Sequence, residues 1–297
     1  MRHLTLAAFL ALGTIGVPGG HAFAAPFEPK IIPDSVQAVG HLDVDALRKT
    51  QIFTAAGGQA AIDAALDEAP AELRPLARSL TRTVRGISFW RDSEHGAVYV
   101  QTGDGRELAR LLPKLPVKPA AAIDGRSVYT MGDGDKHGYC AAFGDTLVLA
   151  DSSESLERSL HVLGGKATNL AGSNKLPMSS RQGVFVFVTI GDNLLGAISK
   201  SAHSKVLQLA IRSVVIDVGE TAGQLTANAR AEMGSADALQ KAKSILDGLR
   251  ALGSLSSDDA VLHALLDGVT VTSTGLALEV VAKLPVAELA KLIQSKK

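Results

Sequence analysis

Apolar and polar residues alternate along several short stretches of this chain, and between those stretches apolar residues recur every three or four positions. Alternation predicts half-buried strands, whereas a spacing of three to four predicts amphipathic helices. The elements follow the order strand, helix, two strands, helix, strand and helix. This order runs over residues 35–165 and again over residues 182–294. The pattern therefore predicts an internal duplication.

The first half opens on an alternating strand over residues 36–45, where Asp45 is predicted to cap a helix beginning at Ala46. A helical pattern over residues 60–80 contains Pro70 and Pro75, which are expected to break it because proline has no N–H to donate. The other predicted elements are strands at 87–89, 97–100, 127–131, 139–143 and 146–150, a short helix at 107–112, and a helix at 155–163 with Asp151 and Glu154 as its capping box.

The second half repeats the order. Its predicted elements are strands at 184–190, 214–218, 224–231, 268–273 and 276–282, a helix that begins at Leu194 after Asp192, a helix at 238–252 capped by Ser235, a tight turn at Thr274-Gly275, and a closing helix at 286–293. Strands joined by short turns, with helices arriving singly, predict the α+β class: antiparallel sheets covered by helices on one face.

The first residues predict a cleavable export signal. Arg2 and His3 precede an apolar run over residues 4–17, which is shorter than the ~20 residues that a membrane-spanning helix needs. The small residues Ala22 and Ala24 place the cut between Ala24 and Ala25. The predicted organisation is a signal peptide at 1–24, a first α+β repeat at 25–165, a connector at 166–181 and a second repeat at 182–297, with no transmembrane segment after signal removal and a periplasmic or secreted location.

The composition of the chain disfavours several classes of function. The 30 basic residues equal the 30 acidic residues in number, so no overall field draws the protein to nucleic acid. Aromatic residues form only 4% of the chain, which disfavours platforms that stack on bases or sugars. Cys140 is the one cysteine and lies among apolar neighbours, so we expect a small buried residue there rather than a reactive thiol.

Four stretches carry a likeness to known proteins: residues 32–36, Leu42-Asp43-Val44 with Leu47, residues 145–150 and residues 170–173. They resemble a group of secreted bacterial proteins of unknown function. The resemblance implies that an opening of a small residue, an alternating strand, an aspartate and a helix occurs twice along the exported part. No catalytic or binding residues are established for that group, so the resemblance implies an architecture and no site.

His41, Asp43 and Asp45 share one face of the first predicted strand, because side chains two positions apart point the same way. An imidazole and two carboxylates could hold a divalent metal. The alternative, which the sequence favours, is the solvated side of a half-buried strand, with Asp45 used as a helix cap. We therefore expect no metal and no other cofactor.

The turn that contains Asp133, Asp135 and Gly138 resembles the start of a calcium-binding EF-hand loop. The match fails at the fifth position, which is His137, and at the twelfth, which is Gly144 in place of the bidentate glutamate. A polar hairpin is the better interpretation.

Arg74, Arg78 and Arg82 recur at intervals of four on one helical face, and Arg85 follows just beyond. Guanidinium groups bind carboxylates and phosphates, so this face is the predicted partner-binding surface. A solvated helix face without a partner shows the same pattern.

These features favour a non-catalytic exported envelope protein with a binding or scaffold role, whose partner is an envelope protein or an anionic surface. Two alternatives remain open. One is a carrier of an apolar small molecule held between sheet and helices. The other is a hydrolase with dispersed catalytic residues, because serines are plentiful and six histidines follow the predicted signal: His41, His95, His137, His161, His203 and His263.

Overall fold

The structure is a computed structural model that describes residues 26–67, 74–105, 108, 110, 112–114, 117–132, 137–173, 176–178, 183–192, 211–256 and 268–295. The predicted signal peptide, the acidic part of the turn at 133–136, residues 107, 109 and 111 of the helix predicted at 107–112, and the helix predicted from Leu194 lie outside the described residues.

The bounds of the strands are β1 Ala38–Asp43, β2 Val84–Arg91, β3 Gly96–Thr102, β4 Val117–Ile123, β5 Arg126–Met131, β6 Gly138–Phe143, β7 Thr146–Ala150, β8 Val184–Gly191, β9 Ile211–Thr221, β10 Gln224–Met233, β11 Val269–Thr274 and β12 Ala277–Pro285. The bounds of the described helices are α1 Val44–Arg48, α2 Gln51–Ala55, α3 Gly58–Asp67, α4 Arg74–Thr83, α5 Ser153–Leu163, α6 Ala236–Ser256 and α7 Val286–Ser295.

The described strands form a 12-stranded antiparallel sheet in the order β11-β12-β10-β9-β8-β1-β2-β3-β7-β6-β5-β4. This arrangement confirms the α+β class. The chain divides into two compact units: the first comprises residues up to Val36 with His41–Ser173, and the second comprises Gln37–Gly40 and the chain from Asn174 onward. The division after Ser173 falls within the predicted connector, and β1 contributes residues to both units.

One face of the sheet in the first unit packs against α1 to α4. The strands contribute Ile87, Val100 and Leu147, which lie side by side because β2, β3 and β7 are paired at these positions. The helices contribute Val44, Phe53, Ile62 and Leu66 to the same buried cluster. Burial of such aliphatic and aromatic side chains contributes about 1.5–3 kcal/mol each, so this cluster is a main source of the unit's stability.

The opposite face of the same strands packs against α5. Trp90 and Tyr99 point away from Ile87 and Val100 because successive side chains alternate, and both are fully buried. Trp90 Nε1 donates to Tyr99 OH at 2.9 Å and to Ser159 Oγ of α5 at 3.3 Å. Helices therefore cover the sheet of this unit on both faces, which corrects the expectation of one covered face.

The second unit is built on β8 to β12. Helix α6 covers its outer strands through a core of Met233, Ala238, Ala242 and Leu278. Ser235 Oγ accepts from the Ala238 N–H at 3.2 Å, which confirms the predicted cap of α6. In the β11–β12 turn, Thr274 pairs with Ala277, so the two turn residues are Gly275 and Leu276 instead of Thr274-Gly275. Gly275 has a φ of 61°, a conformation that suits glycine.

Two predicted helix caps are displaced, the first by two residues and the second by one. Helix α1 begins at Val44, and its cap is Asp43, whose Oδ1 accepts from the Ala46 N–H at 2.8 Å; Asp45 lies inside the helix. Helix α5 is capped by Ser152, whose Oγ accepts from the Ser155 N–H at 3.1 Å. Asp151 instead accepts from the Gly96 N–H, so it joins the helix entry to β3.

Two further elements differ from the sequence expectation. Pro75 is the second residue of α4 and does not interrupt it, because the first turn of a helix needs no N–H from that position. Strand β4 was not predicted. Its sequence VKPAAAI lacks alternation and contains a proline, and its place at the end of the strand order allows both.

We predict that Tyr99→Phe lowers the free energy of unfolding by about 1–2 kcal/mol, because Trp90 loses a buried acceptor. Urea unfolding measures the change. The control is Tyr129→Phe, since the half-buried Tyr129 hydroxyl has no hydrogen-bond partner within the described part of the chain. An equal loss in both variants would contradict the assigned hydrogen bond.

Alkaline pH gives a second readout for the same variant. Burial raises the pKa of Tyr99 to about 12, against smaller opposing effects of Ser159, Trp90 and Arg158. The folded-state pKa thus exceeds the unfolded value of about 10, so the neutral phenol contributes stability that is complete below pH ~10 and is lost as the pH rises towards ~12. The difference in stability between wild type and Tyr99→Phe should shrink over that interval.

Candidate functional site: an arginine helix held by a buried carboxylate

The four arginines predicted as one surface divide into outward and inward members. Arg78 and Arg82 are exposed on α4, whereas Arg74 is half-buried at its start. Arg85 lies on β2, with its side chain 33% exposed, and Arg85 Nε donates to Asp45 Oδ2 at 3.0 Å. The structure therefore leaves two arginines, Arg78 and Arg82, on the outer face of α4, and Arg85 holds β2 near α1.

Asp45 is the centre of the inward part of this site. Its side chain is only 4% exposed, and it also accepts from Arg48 Nη1, one turn later on α1, through Oδ1 at 2.9 Å. Each carboxylate oxygen thus faces a separate guanidinium group. A buried carboxylate is stable only when its charge is compensated in this way.

Arg48 extends the network to the end of α4. Arg48 Nη2 donates to the carbonyl oxygen of Thr81 at 3.1 Å, so it bonds α1 to the last turn of α4. A cation at this position also interacts favourably with the C-terminal end of the helix dipole. Burial lowers the pKa of Arg48, and attraction and hydrogen bonding from Asp45 oppose that shift. Arg48 remains charged at neutral pH.

The role of Arg48 was not predicted from the sequence. Its signal was the three-residue spacing between Asp45 and Arg48, which places the two side chains on one face of a helix. The prediction of Asp45 as a cap and of its strand face as solvated hid that signal.

The outer face of α4, which carries Arg78 and Arg82, is exposed. Arg78 forms an exposed ion pair with Asp67 of α3. Arg82 makes no ion pair with any residue that the structure describes. Both guanidinium groups lie four residues apart on a helix whose end is fixed by Arg48 and Arg85, so they are presented from a defined position. Planar, multidentate donors of this kind suit carboxylate or phosphate groups.

The candidate metal ligands His41, Asp43 and Asp45 are all buried, so the expected solvated strand face is wrong. Each has a separate role. His41 Nδ1 lies 2.9 Å from Ser88 Oγ, Asp43 caps α1, and Asp45 pairs with the two arginines. Within the described ranges, no group of three or more His, Cys, Asp or Glu side chains is placed to hold a metal ion.

A hydrolase of the kind considered above would need a serine close to a histidine and an acidic residue. His95 Nδ1 lies 3.8 Å from Asp151 Oδ1, and Ser155 Oγ donates to that same oxygen at 3.1 Å. A nucleophilic serine needs the imidazole as its hydrogen-bond acceptor. Here the acceptor of the serine proton is the Asp151 carboxylate and not the imidazole, so these residues do not form a catalytic triad. Asp151 instead joins the start of β3 to α5.

The remaining candidates from the sequence are the turn considered for calcium and Cys140. In the turn considered for calcium, His137 Nε2 lies 2.8 Å from Tyr139 OH, and Asp133 and Asp135 lie outside the described residues. Cys140 is fully buried, as predicted, and burial raises its pKa to about 11, which keeps the thiol protonated and unreactive. No helix in the part of the chain that is described is both long and apolar enough to span a membrane.

We predict that Asp45→Asn lowers the free energy of unfolding by about 3 kcal/mol or more, because two partly enclosed guanidinium groups lose their countercharge. The matched control is Asp67→Asn, which removes the exposed partner of Arg78 and should cost no more than about 1 kcal/mol. Urea unfolding at neutral pH compares the two. Similar losses would show that Asp45 does not hold this part of the fold.

Comparisons with known proteins show a shared fold. No protein-family model and no curated protein matches the chain. Crystal form III of TP0453 is similar with a TM-score of 0.54 at 10% identity, covering 91% of this chain and 99% of that one. Form IV gives 0.54 at 9% identity (91% and 97%), and form I gives 0.51 at 11% identity (91% and 98%). At these identities the likeness carries the fold and no activity.

Proposed function

We propose that this chain is an exported, non-catalytic envelope protein that binds an acidic partner protein or an anionic surface through the outer arginines of α4. One observation carries the proposal: Arg78 and Arg82 are exposed on a helix whose end is fixed by the buried Asp45 network. Fixing the helix removes part of the ordering cost that binding would otherwise incur.

The chemistry of the outer face defines the class of partner. Arg78 already tolerates a carboxylate neighbour in Asp67, and a partner's carboxylate or phosphate could replace it at small cost because exposed ion pairs are weak. Arg82 offers donors without displacing any described ion pair. The balanced charge of the whole chain favours a local contact of this kind over a general attraction to polyanions such as nucleic acid.

The export signal and the duplicated design belong to the same proposal. A cut between Ala24 and Ala25 would place the protein in the periplasm or outside the cell, like the secreted group that it resembles. The duplication finds partial support in the order of elements, since the helix that closes the first half, α5, follows β7, and the helix that closes the second half, α7, follows β12. Homologous sequences whose two halves align with each other would establish it, and halves with no detectable likeness would count against it.

We predict that changing Arg78 and Arg82 together to Ala removes envelope crosslinks formed by the native protein in cells, and that the mature chain in those cells begins at Ala25. The control is Arg250→Ala, an exposed arginine of α6 in the second unit, which should leave the crosslinks unchanged. Identical crosslinks in the double variant would overturn the arginine face, and an uncleaved chain would overturn the export signal.

A second candidate function, the carrier of an apolar small molecule, is favoured by one face of the second unit. There, paired positions place Val188, Ile216, Ala229 and Val280 in a row across β8, β9, β10 and β12. Ile216 is 43% exposed, and the other three are half-buried. Apolar side chains in such a row offer a surface on which an aliphatic ligand would lose contact with water.

We predict, on the carrier proposal, that organic extracts of the native protein contain a bound apolar compound and that Ile216→Asp reduces its amount several-fold. The control is Ile245→Asp, which introduces the same charge at an isoleucine of α6 that is 38% exposed. Mass spectrometry of the extracts measures the ligand. A native preparation without any apolar compound, or equal retention in both variants, would reject the carrier.

A further inference from the structure

The two outermost strands of the described sheet differ in how their free edges are treated. Strand β4 contains Lys118 and Pro119 within VKPAAAI, and both residues oppose pairing with another strand. Strand β11, at the other end of the order, has the sequence VTVTST. It contains no charge and no proline, and its β-branched residues favour an extended strand.

The register identifies the backbone groups of β11 that point outward. Lys283 N–H donates to the Gly268 carbonyl oxygen at 3.0 Å, and Thr270 and Thr274 pair with Val281 and Ala277. Hydrogen-bonded pairs alternate with non-bonded pairs along an antiparallel ladder, so the even-numbered residues of β11 bond to β12. The N–H and C=O groups of Val269, Val271 and Ser273 therefore point away from the sheet.

We propose that β11 is a dimerisation edge, on which β11 of a second copy of this chain pairs in antiparallel register with Val271 opposite Val271 of the partner subunit. This register also sets Val269 against Ser273 of the partner subunit. It is the symmetric arrangement that uses the outward groups of all three odd-numbered residues, whereas a shift by two residues leaves some of them without partners.

The side chains of β11 are compatible with this pairing. Val271 packs against the core that contains Met233 and Leu278, so the strand is held in place before a partner arrives. The exposed Thr270 would lie opposite Thr272 of the partner subunit, and threonine pairs across strands are favourable. With no charged residue in β11, two identical copies meet without repulsion, whereas a charged peptide would gain no ion pair from the residues of this edge.

Dimerisation through β11 goes beyond the proposed function, because it does not use the arginine face of α4. A single six-residue strand is a small interface. Stable complexes bury about 1,200–2,000 Å² in total, so we expect a weak dimer with a dissociation constant on the order of 10 µM. The dimer is therefore expected only at high protein concentration.

The test is sedimentation of the full exported chain across a concentration series that reaches about 100 µM, ten times the expected dissociation constant. Wild type should shift from monomer to dimer. Ser273→Pro should lower dimer affinity at least ten-fold, because it removes an outward N–H and no bond to β12. Ser273→Ala is the matched control, since it loses the hydroxyl, keeps the N–H and should dimerise like wild type.

A second variant keeps the test decisive if the proline disturbs the fold. Changing Thr270 and Thr272 together to Lys places like charges opposite each other in the proposed register and should also abolish the dimer, whereas the same two positions changed to Ser should retain it. A wild-type monomer at every concentration would overturn the inference, as would dimers in both the proline and the lysine variants.

The outcome is separable from that of the proposed function. Loss of the dimer in Ser273→Pro with unchanged envelope crosslinks would support the edge and leave the arginine face intact. Loss of crosslinks on changing Arg78 and Arg82, with the dimer retained, would support the arginine face alone.

Discussion

The first unit depends on the alternation of side chains along strands that are covered on both faces. Ile87 and Val100 face one set of helices, and Trp90 and Tyr99 face α5. When both faces are covered, successive residues enter the two cores in turn, whether they are apolar or not. Polar residues at these positions, such as Ser88 and His41, must therefore bond to one another, and they do at 2.9 Å.

The same constraint decides which charges can meet a partner. Asp45 is enclosed where β1 passes into α1, so its carboxylate requires Arg48 and Arg85 as countercharges. The guanidinium groups of these two arginines are thereby engaged within the fold. Arg78 and Arg82, in contrast, are exposed, because α4 directs their side chains towards solvent. The stability of the buried network thus determines the position of the exposed pair.

Elements with a clear period were predictable. The strands at 97–100 and 146–150 show the expected signals, and β3 and β7 contain them. Caps were less predictable, since Asp43 and Asp45 are equally good cap residues and the choice depends on where the helix begins. Strand β4 has no alternation because it lies at a sheet edge. The pairing of Asp45 with Arg85 joins residues forty positions apart, and no local pattern indicates a contact made by tertiary folding.

The stability of the fold does not by itself explain why the two outermost strands, β4 and β11, differ in sequence. An edge strand with lysine or proline resists pairing, and β4 has both at positions that contribute little to a core. The fold of the second unit would tolerate a lysine in place of the exposed Thr272 on β11, because that side chain is directed to solvent. Stability therefore does not require an uncharged edge there. Valine alternating with threonine gives β11 an apolar row that packs on the core, a polar row in water, and outward backbone groups that only another strand can satisfy as a ladder.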